Sequence, residues 1–408
     1  LNKLSVECLY KNIEKLIKNK KMLAQYQKKS IKNFYLDDKY ITKQIDDYRK
    51  QMFINYKKIH KNSKLKILHV TNFNERHNGR LFYNTGRRIN NGLIRLNHSV
   101  LELSDRDIVS YSRKFNDISG SRNLNKKFED IIENFLPDLI IFGHADLISK
   151  QSLVNIRKKY PQIKMCQWFL DRMDSDWKIN LKRFKDKIRY IDASFCTTDP
   201  KDLKISKSAK VKFMPNPVDP SLDNFNNSNK DNLENDVFFA MSHGVHRGVL
   251  KKGKVDKRET IIKKLLKKLP KIKFDIYGMN GIEPIWSNNY LKALSKCKIG
   301  LNLSQGSADK FYSSDRFAQL IGNGLLVIID KKTKLGNFFT NNEIVTYSNF
   351  SELSKKISYY SSNESQRKKI ANNGRKKYFK YFDSKKVAEF IINNTFEYKK
   401  KYFWEKYL

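Results

Sequence analysis

No apolar run in this 408-residue chain approaches the ~20 residues that a membrane-spanning helix needs, and the longest are short segments such as Leu325–Ile329. The first residues lack the form of a signal peptide, because Glu7 interrupts residues 1–10 and residues 11–21 are strongly charged. Leu1 points to an incomplete or unusually started chain. The four cysteines (Cys8, Cys166, Cys196, Cys297) are scattered and form no CxxC pair, so neither a zinc site nor a disulfide framework follows from them. Reduced thiols in a cytoplasm are the expectation. Asn-x-Ser/Thr matches at Asn97, Asn226, Asn302 and Asn393 are what an Asn-rich chain yields by chance.

Acidic charge is scarce, 42 Asp and Glu against 82 Lys and Arg, for a formal net charge of +40. Such a charge suits nucleic acid or an anionic membrane. The lysines, however, are spread along the whole chain beside abundant Asn, Ile and Tyr, as an AT-rich genome writes any solvated surface. No nucleic-acid-binding motif accompanies them, so no nucleic-acid partner is expected. An anionic membrane face is a second contributor to the charge. With 39% hydrophobic and 12% aromatic residues the chain is too apolar to be disordered, and its length holds two domains plus an extension.

Residues 1–63 read as a polar helical extension, with Leu9, Ile13, Leu16 and Leu23 on one helical face. A coiled-coil arm, a partner-binding helix pair or a cap packed on the body all fit, the cap being the default. From residue 64 short apolar runs alternate with amphipathic helices: 66–70, 99–103, 138–142, 163–169, 193–197 and 211–214. That alternation predicts βαβ units and a parallel sheet. Pro215-Asn216-Pro217 breaks the pattern, and the Asn- and Asp-rich stretch 221–235 has little to bury. A second set follows at 236–241, 272–277, 298–303, 325–329 and 343–347, with a helix over 258–269 striped by Ile261, Ile262, Leu265, Leu266 and Leu269. The fold class expected is α/β, two doubly wound parallel-sheet (Rossmann-like) domains. Their bounds are 64–218 and 219–383, and a C-terminal helix, 384–408, crosses back to the first domain.

Ligands of open parallel sheets bind beyond the carboxyl ends of the strands. The loops there are rich in small and polar residues: 242–248 with His243 and Gly244, Gly278 after Tyr277, and Ser304 with Gly306. The run from Tyr312 to Gly324 is the clearest signal. Ser313 or Ser314 is expected to cap a helix that Asn323-Gly324 stops. Its free N–H groups and dipole favour an anion by about 0.3–1 kcal/mol, and Arg316 adds a fixed charge. A nucleotide diphosphate is the natural guest.

The order of segments from 236 to 382 resembles the donor domain of GT-B glycosyltransferases, nearest the CgeB-like group-1 relatives. Residues 214–219 (Met-Pro-Asn-Pro-Val-Asp) resemble their interdomain join, 324–328 (Gly-Leu-Leu-Val-Ile) their Gly-x-Pro-Val-Ile stretch, and 370–382 their closing helix. The resemblance implies a nucleotide sugar in the C-terminal domain and an acceptor pocket in the N-terminal one. It implies that Arg247 and Lys252 neutralise the departing diphosphate with Ser313, Ser314 and Arg316. His243, Gly244, Tyr277, Gly278, Ser304, Gly306, Tyr312, Asp315 and Gln319 then surround the nucleotide and sugar. Two glutamates stand eight positions apart in many retaining relatives; here Phe311 and Gln319 occupy those places. His144 and Asp171, both at strand ends, become the sugar-contacting histidine and the acidic base, and Asn78-Gly79-Arg80 the acceptor loop. Asp174-Ser175-Asp176 matches the metal-binding motif of the other glycosyltransferase fold but reads as a helix-start loop, so no metal and no cofactor are expected.

The function implied is sugar transfer to a hydroxyl of a glycan or lipid-linked acceptor, in bacterial cell-surface polysaccharide or glycolipid synthesis. The place is the cytoplasm, with peripheral association at the inner face of the membrane allowed by the charge. A non-catalytic scaffold with a GT-B body at an anionic membrane is the alternative. Oligomeric state is left open.

Overall fold

The computed structural model describes residues 5–33, 38–56, 59–173, 178–241, 256–304 and 309–408. Two compact units divide the chain, Leu1–His60 and Lys61–Leu408. The first is helical: α1 (Val6–Lys18), α2 (Lys20–Asn33) and α3 (Asp38–Tyr56). Ser5 caps α1 by accepting from the Cys8 amide, and Asn19 separates α1 from α2 while its side chain accepts from Met22 N. Among the described residues no helix is long and apolar enough to cross a membrane.

The second unit holds both sheets. The first sheet is built from β1 (Lys66–Thr71), α4 (Thr85–Arg95), β2 (Ser99–Leu103), α5 (Asp105–Tyr111), α6 (Ser121–Phe135), β3 (Leu139–Gly143), α7 (Lys150–Lys159), β4 (Lys164–Phe169), α8 (Lys178–Ile188), β5 (Ala193–Cys196) and β6 (Val211–Phe213). Its strands lie in the order β2-β1-β3-β4-β5-β6, all parallel. The continuous apolar run of β3 is buried on both faces, as a central parallel strand must be, whereas the edge strand β2 leaves Ser99 and Leu101 exposed.

The second sheet contains β7 (Asn235–Ala240), α9 (Lys257–Lys268), β8 (Phe274–Tyr277), α10 (Ser287–Leu294), β9 (Cys297–Asn302), α11 (Arg316–Gly322), β10 (Leu326–Asp330) and β11 (Val345–Tyr347). Its order is β11-β10-β9-β7-β8, again all parallel. Ile262 and Leu265 of α9 are buried in the core beneath it, with Ile261, Leu266 and Leu269 packed around them. α12 (Phe350–Ser362) and α13 (Glu364–Phe382) complete this half. α14 (Ser384–Thr395) lies against α4, β4 and β5 of the first sheet. Gly92 permits that crossing, because a Cβ there would stand 2.2 Å from the Ser384 carbonyl oxygen. The expected doubly wound α/β fold is present, its eleven strands within two residues of their expected ends.

Two local expectations are corrected. The stretch 221–235 is not poor in buried groups: Asp223 and Asn227 are both fully buried. They bury because they serve as hydrogen-bonding centres. Asn227 donates to the carbonyls of Leu294 and Cys297, at 2.9 Å each, and its own carbonyl accepts from Arg367 at 2.9 Å. Neither Ser313 nor Ser314 caps α11, because Asp315 precedes it with helical dihedrals and makes no side-chain cap. Ser313 instead accepts from Asn216 in the interdomain join, at 3.0 Å.

That join is held by buried charge. Arg88 of α4 donates to Tyr83 O (2.9 Å), Pro217 O (3.2 Å) and both carboxylate oxygens of Asp223, the Nη2–Oδ1 bond being 2.8 Å. Asp223 also accepts from Asp219 N and from Asn323 Nδ2 at the end of α11. Arg95, about two turns along the same helical face, pairs with Asp219, which accepts from Ser384 Oγ at 2.9 Å. Removing one partner of a buried pair strands the other charge, at a cost of about 3–5 kcal/mol. Arg88→Met is therefore expected to lower stability by that amount in urea or thermal unfolding. The double variant Arg88→Met/Asp223→Leu should be more stable than Arg88→Met alone; equal or lower stability would show that the pair is not the source of the loss.

Candidate active site

The carboxyl ends of the two sheets face a common pocket of about 680 Å³. The first sheet's side supplies Leu81 and Tyr83 from the loop after β1, Arg106 at the start of α5, Asp171 and Arg172 after β4, and Asn180 and Arg183 of α8. The second supplies Ala240 and Met241 at the end of β7, Arg258 of α9, Trp286 and Tyr290 at α10, Ser304 after β9, and Tyr312, Ser314, Asp315, Arg316 and Gln319 around α11. Both sheets reverse strand order here, at β1/β3 and at β7/β9, where crevices open in doubly wound folds.

Five arginines line the pocket against two aspartates, Asp171 and Asp315, so its field favours an anion. Arg172 is paired with Asp309 (3.0 Å), and Arg258 with Asp256 through Nη2–Oδ2 (2.6 Å). Arg183 makes no ion pair among the described residues. Arg316, expected as a fixed charge near the diphosphate, lines the pocket. It is buried, and its guanidinium donates to Ala240 O (2.6 Å) and Leu303 O (2.8 Å), tying together the ends of β7 and β9. Burial, and then the neighbouring Arg258, push its pKa down to about 10. An anion placed between these two cations would relieve that repulsion.

His144 and Asp171 come together, with Nδ1 to Oδ2 at 3.7 Å. The Leu170 amide donates to His144 Nε2 at 3.1 Å, so the ring proton sits on Nδ1, the nitrogen nearer Asp171 but beyond hydrogen-bond distance of it. Burial holds the imidazole below its usual pKa, with Asp171 opposing the shift. His144 packs on Phe169 at 4.2 Å between ring centroids and does not line the pocket; Asp171 does. Asp171 is thus the exposed member of the pair, and His144 lies behind it.

Of the other expected site residues, Ser304, Tyr312, Ser314, Asp315, Arg316 and Gln319 line the pocket together. Ser313, Tyr277 and Gly278 do not. Gly278 serves the backbone instead: at φ +78° its missing Cβ leaves room for the Met241 carbonyl. Asn78 and Gly79 form a left-handed turn, and Arg80 lays its guanidinium over the Trp286 ring at 4.8 Å while its carbonyl accepts from Ser287. The loop 78–80 is thus clamped onto the second half of the chain, beside Leu81 and Trp286 of the pocket lining. His243, Gly244, Arg247, Lys252, Gly306 and Asp174-Ser175-Asp176 lie outside the described residues. Among the described residues no group of His, Cys, Asp and Glu is arranged to hold a metal ion.

Residues 257–393 match a family model described as glycosyl transferase-like, about a third of the chain. No curated protein sequence matches the chain. Among solved structures, a glycosyltransferase from Rickettsia africae ESF-5 aligns over 82% of this chain and 98% of its own, at 12% identity and TM-score 0.50. HepE of Anabaena, in complex with UDP-glucose, aligns over 82% and 100%, at 11% identity and TM-score 0.51. Sucrose-phosphate synthase from Thermosynechococcus elongatus aligns over 82% and 99%, at 10% identity and TM-score 0.51. The body has the GT-B fold of glycosyltransferases.

Reading strand ends alone misses Tyr83, Arg258, Trp286 and Tyr290, which reach the pocket from helix starts and a loop. A signal existed for Arg258. A cation in a first helical turn opposes the helix dipole, and this one is held there by the N-cap Asp256.

Beneath the site, His69 of β1 is fully buried and accepts from Trp168 Nε1 at 3.3 Å, leaving its Nδ1 proton for Asn90 at 3.2 Å. Burial drives its pKa down to about 4. The unfolded chain binds this proton near pH 6.5 and the folded chain does not, so its contribution to stability is complete above 6.5 and is lost as pH falls toward 4. The slope reaches about 1.4 kcal/mol per pH unit. His69→Gln is expected to flatten the acid limb of the stability profile between pH 6.5 and 4.5 relative to wild type; an unchanged slope would contradict the assignment.

Proposed function

We propose that the chain moves a sugar from a nucleotide-sugar donor to a hydroxyl of a glycan or lipid-linked acceptor, in synthesis of a bacterial cell-surface polysaccharide or glycolipid. The observation that carries this reading is the arginine-lined pocket between the carboxyl ends of two parallel sheets. A nucleotide sugar brings two phosphates that need fixed cations, and an anomeric carbon that must face a second substrate. Arg258 and Arg316 stand on the donor side, and Asp171 stands across from them on the acceptor side. The UDP-glucose in the HepE structure supports a donor of this class.

In this reading the acceptor hydroxyl attacks the anomeric carbon and Asp171 takes its proton. The bond from that carbon to the diphosphate oxygen breaks, and the electron pair leaves with the phosphate. Preorganised cations stabilise the developing charge without reorganising at the moment of reaction. Arg258 and Arg316 supply part of this, with Arg247 and Lys252 retained as candidates by sequence. His144, 3.7 Å behind Asp171, is placed to steady the carboxylate. The nearness to the CgeB-like group rests on the motifs around Gly324 and Ile370, and the net charge of +40 suits an acceptor at an anionic membrane face.

Thermal unfolding of the full chain with UDP, GDP, ADP and their sugar conjugates tests the reading. A cognate ligand at 100 times its Kd adds about 2.7 kcal/mol of stability. Asp171→Asn should keep that shift and lower donor turnover by about 10²–10⁴-fold. No shift with any member of the panel would sink the proposal, and undiminished turnover in Asp171→Asn would move the base elsewhere.

A further inference from the structure

Gln319 lies where a glutamate would place a charge in the pocket, yet its amide is spent on neighbours. Tyr290 donates its hydroxyl to Gln319 Oε1 at 2.6 Å, and Gln319 Nε2 donates to Asp315 Oδ2 at 3.3 Å. The chemistry fixes the orientation of the amide. An ionised carboxylate accepts only, so the nitrogen must face Asp315 and the oxygen must face Tyr290. Gln319 and Tyr290 are both buried, at 3% and 6% exposure, so the relay has little freedom to re-form around a ligand. Tyr290 is stacked on Tyr83 at 5.3 Å and 13°, which ties it to the opposite domain.

The end of this relay is a carboxylate, one of two in a pocket lined by five arginines. Burial raises the pKa of Asp315, while Arg88 and Arg316 hold it down. A carboxylate repels a diphosphate, so this part of the wall faces a different portion of the ligand. It receives hydroxyl donors. Ser314 beside it carries a buried hydroxyl with no partner, a second polar group on the same wall.

The geometry points to Asp315 as the residue that receives the sugar hydroxyls of the donor in this chain, with Gln319 as its positioning residue. This rests on the nucleotide-sugar reading above and departs from a plain loss of function at position 319. The hydroxyls belong either to the ribose or to the transferred sugar. In both cases adjacent hydroxyls donate to the Asp315 carboxylate while Gln319 and Tyr290 hold it in place.

The test is calorimetric titration of the full chain with the nucleoside diphosphate that binds best, its 2′-deoxy and 3′-deoxy forms, and its sugar conjugate. Loss of one hydroxyl hydrogen bond to a charged acceptor should weaken wild-type binding by about tenfold or more. Discrimination against the deoxy forms assigns the ribose; a preference for the conjugate alone assigns the transferred sugar. Asp315→Asn should erase whichever discrimination the wild type shows, and its retention would overturn the proposal. Gln319→Glu supplies a readout that does not depend on that variant folding. It sets two carboxylates in contact, so binding should weaken at pH 8 and recover toward pH 6 as the pair takes up a shared proton. Tighter binding by Gln319→Glu would overturn the proposal, because position 319 would then itself receive the hydroxyls. If no nucleotide or conjugate binds wild type at all, the transferase reading falls and this one falls with it.

Discussion

The pairing of Arg88 with Asp223 is the constraint from which the rest of the body takes its geometry. Arg88 belongs to the first sheet's α4 and Asp223 to the segment that begins the second half. Both are essentially removed from water, at 1% and 0% side-chain exposure, so neither charge tolerates the other's absence. A buried pair of this kind contributes little net stability against an apolar replacement. Its cost when mispaired instead selects one arrangement of the parts it joins. Here those parts are two domains and the cleft between them.

Two parts of the pocket wall connect to that contact, Tyr83 and the end of α11. The Arg88 guanidinium also holds the Tyr83 carbonyl, and Tyr83 carries the ring that stacks on Tyr290. Asp223 holds Asn323 at the end of α11, while Arg316 ties the start of the same helix to the ends of β7 and β9. A helix of seven residues, too short to be stable alone, is thereby pinned at both ends and presents Asp315 and Gln319 to the cleft. Arg172 with Asp309, and Asp199 with Lys310, add a second set of bridges on the far side of the pocket.

The charge of +40 has two quite different meanings in this molecule. Most of it lies on solvated lysines whose pairing with surface acids is worth little. The cations that line the pocket are five arginines, a small part of the total, and Arg172, Arg258 and Arg316 among them are held by carboxylates or carbonyls. Planar guanidinium groups suit this use, since each can tie down a carbonyl or carboxylate and still project charge into the pocket.

Much of the fold was legible in the chain. Parallel strands buried on both faces leave continuous apolar runs, and all eleven are readable at nearly their observed ends. The glycines and Pro215-Asn216-Pro217 mark where the chain must turn. The candidate site was legible only in part. Strand ends point to Asp171, Ser304 and the run from Tyr312, because the fold class dictates where ligands go. Tyr83, Arg258 and Tyr290 carry no such mark, since they reach the pocket from helix starts and a loop whose direction depends on packing. The segment 221–235 looked like a linker by composition, and its burial follows from hydrogen bonds to chain more than sixty residues away.

By itself, then, the sequence determined the class of fold, the succession of elements and the general place of the site, because these follow from local periodicity and turn chemistry. Tertiary structure alone decided what each polar side chain does there. Arg316 lines the pocket while its guanidinium ties the ends of β7 and β9, Gln319 accepts from Tyr290 and donates to Asp315, and His144 lies 3.7 Å from Asp171. The physical reason is that a hydrogen-bonding group acts through the partner it meets, and these partners are brought together only when the two sheets close on one another.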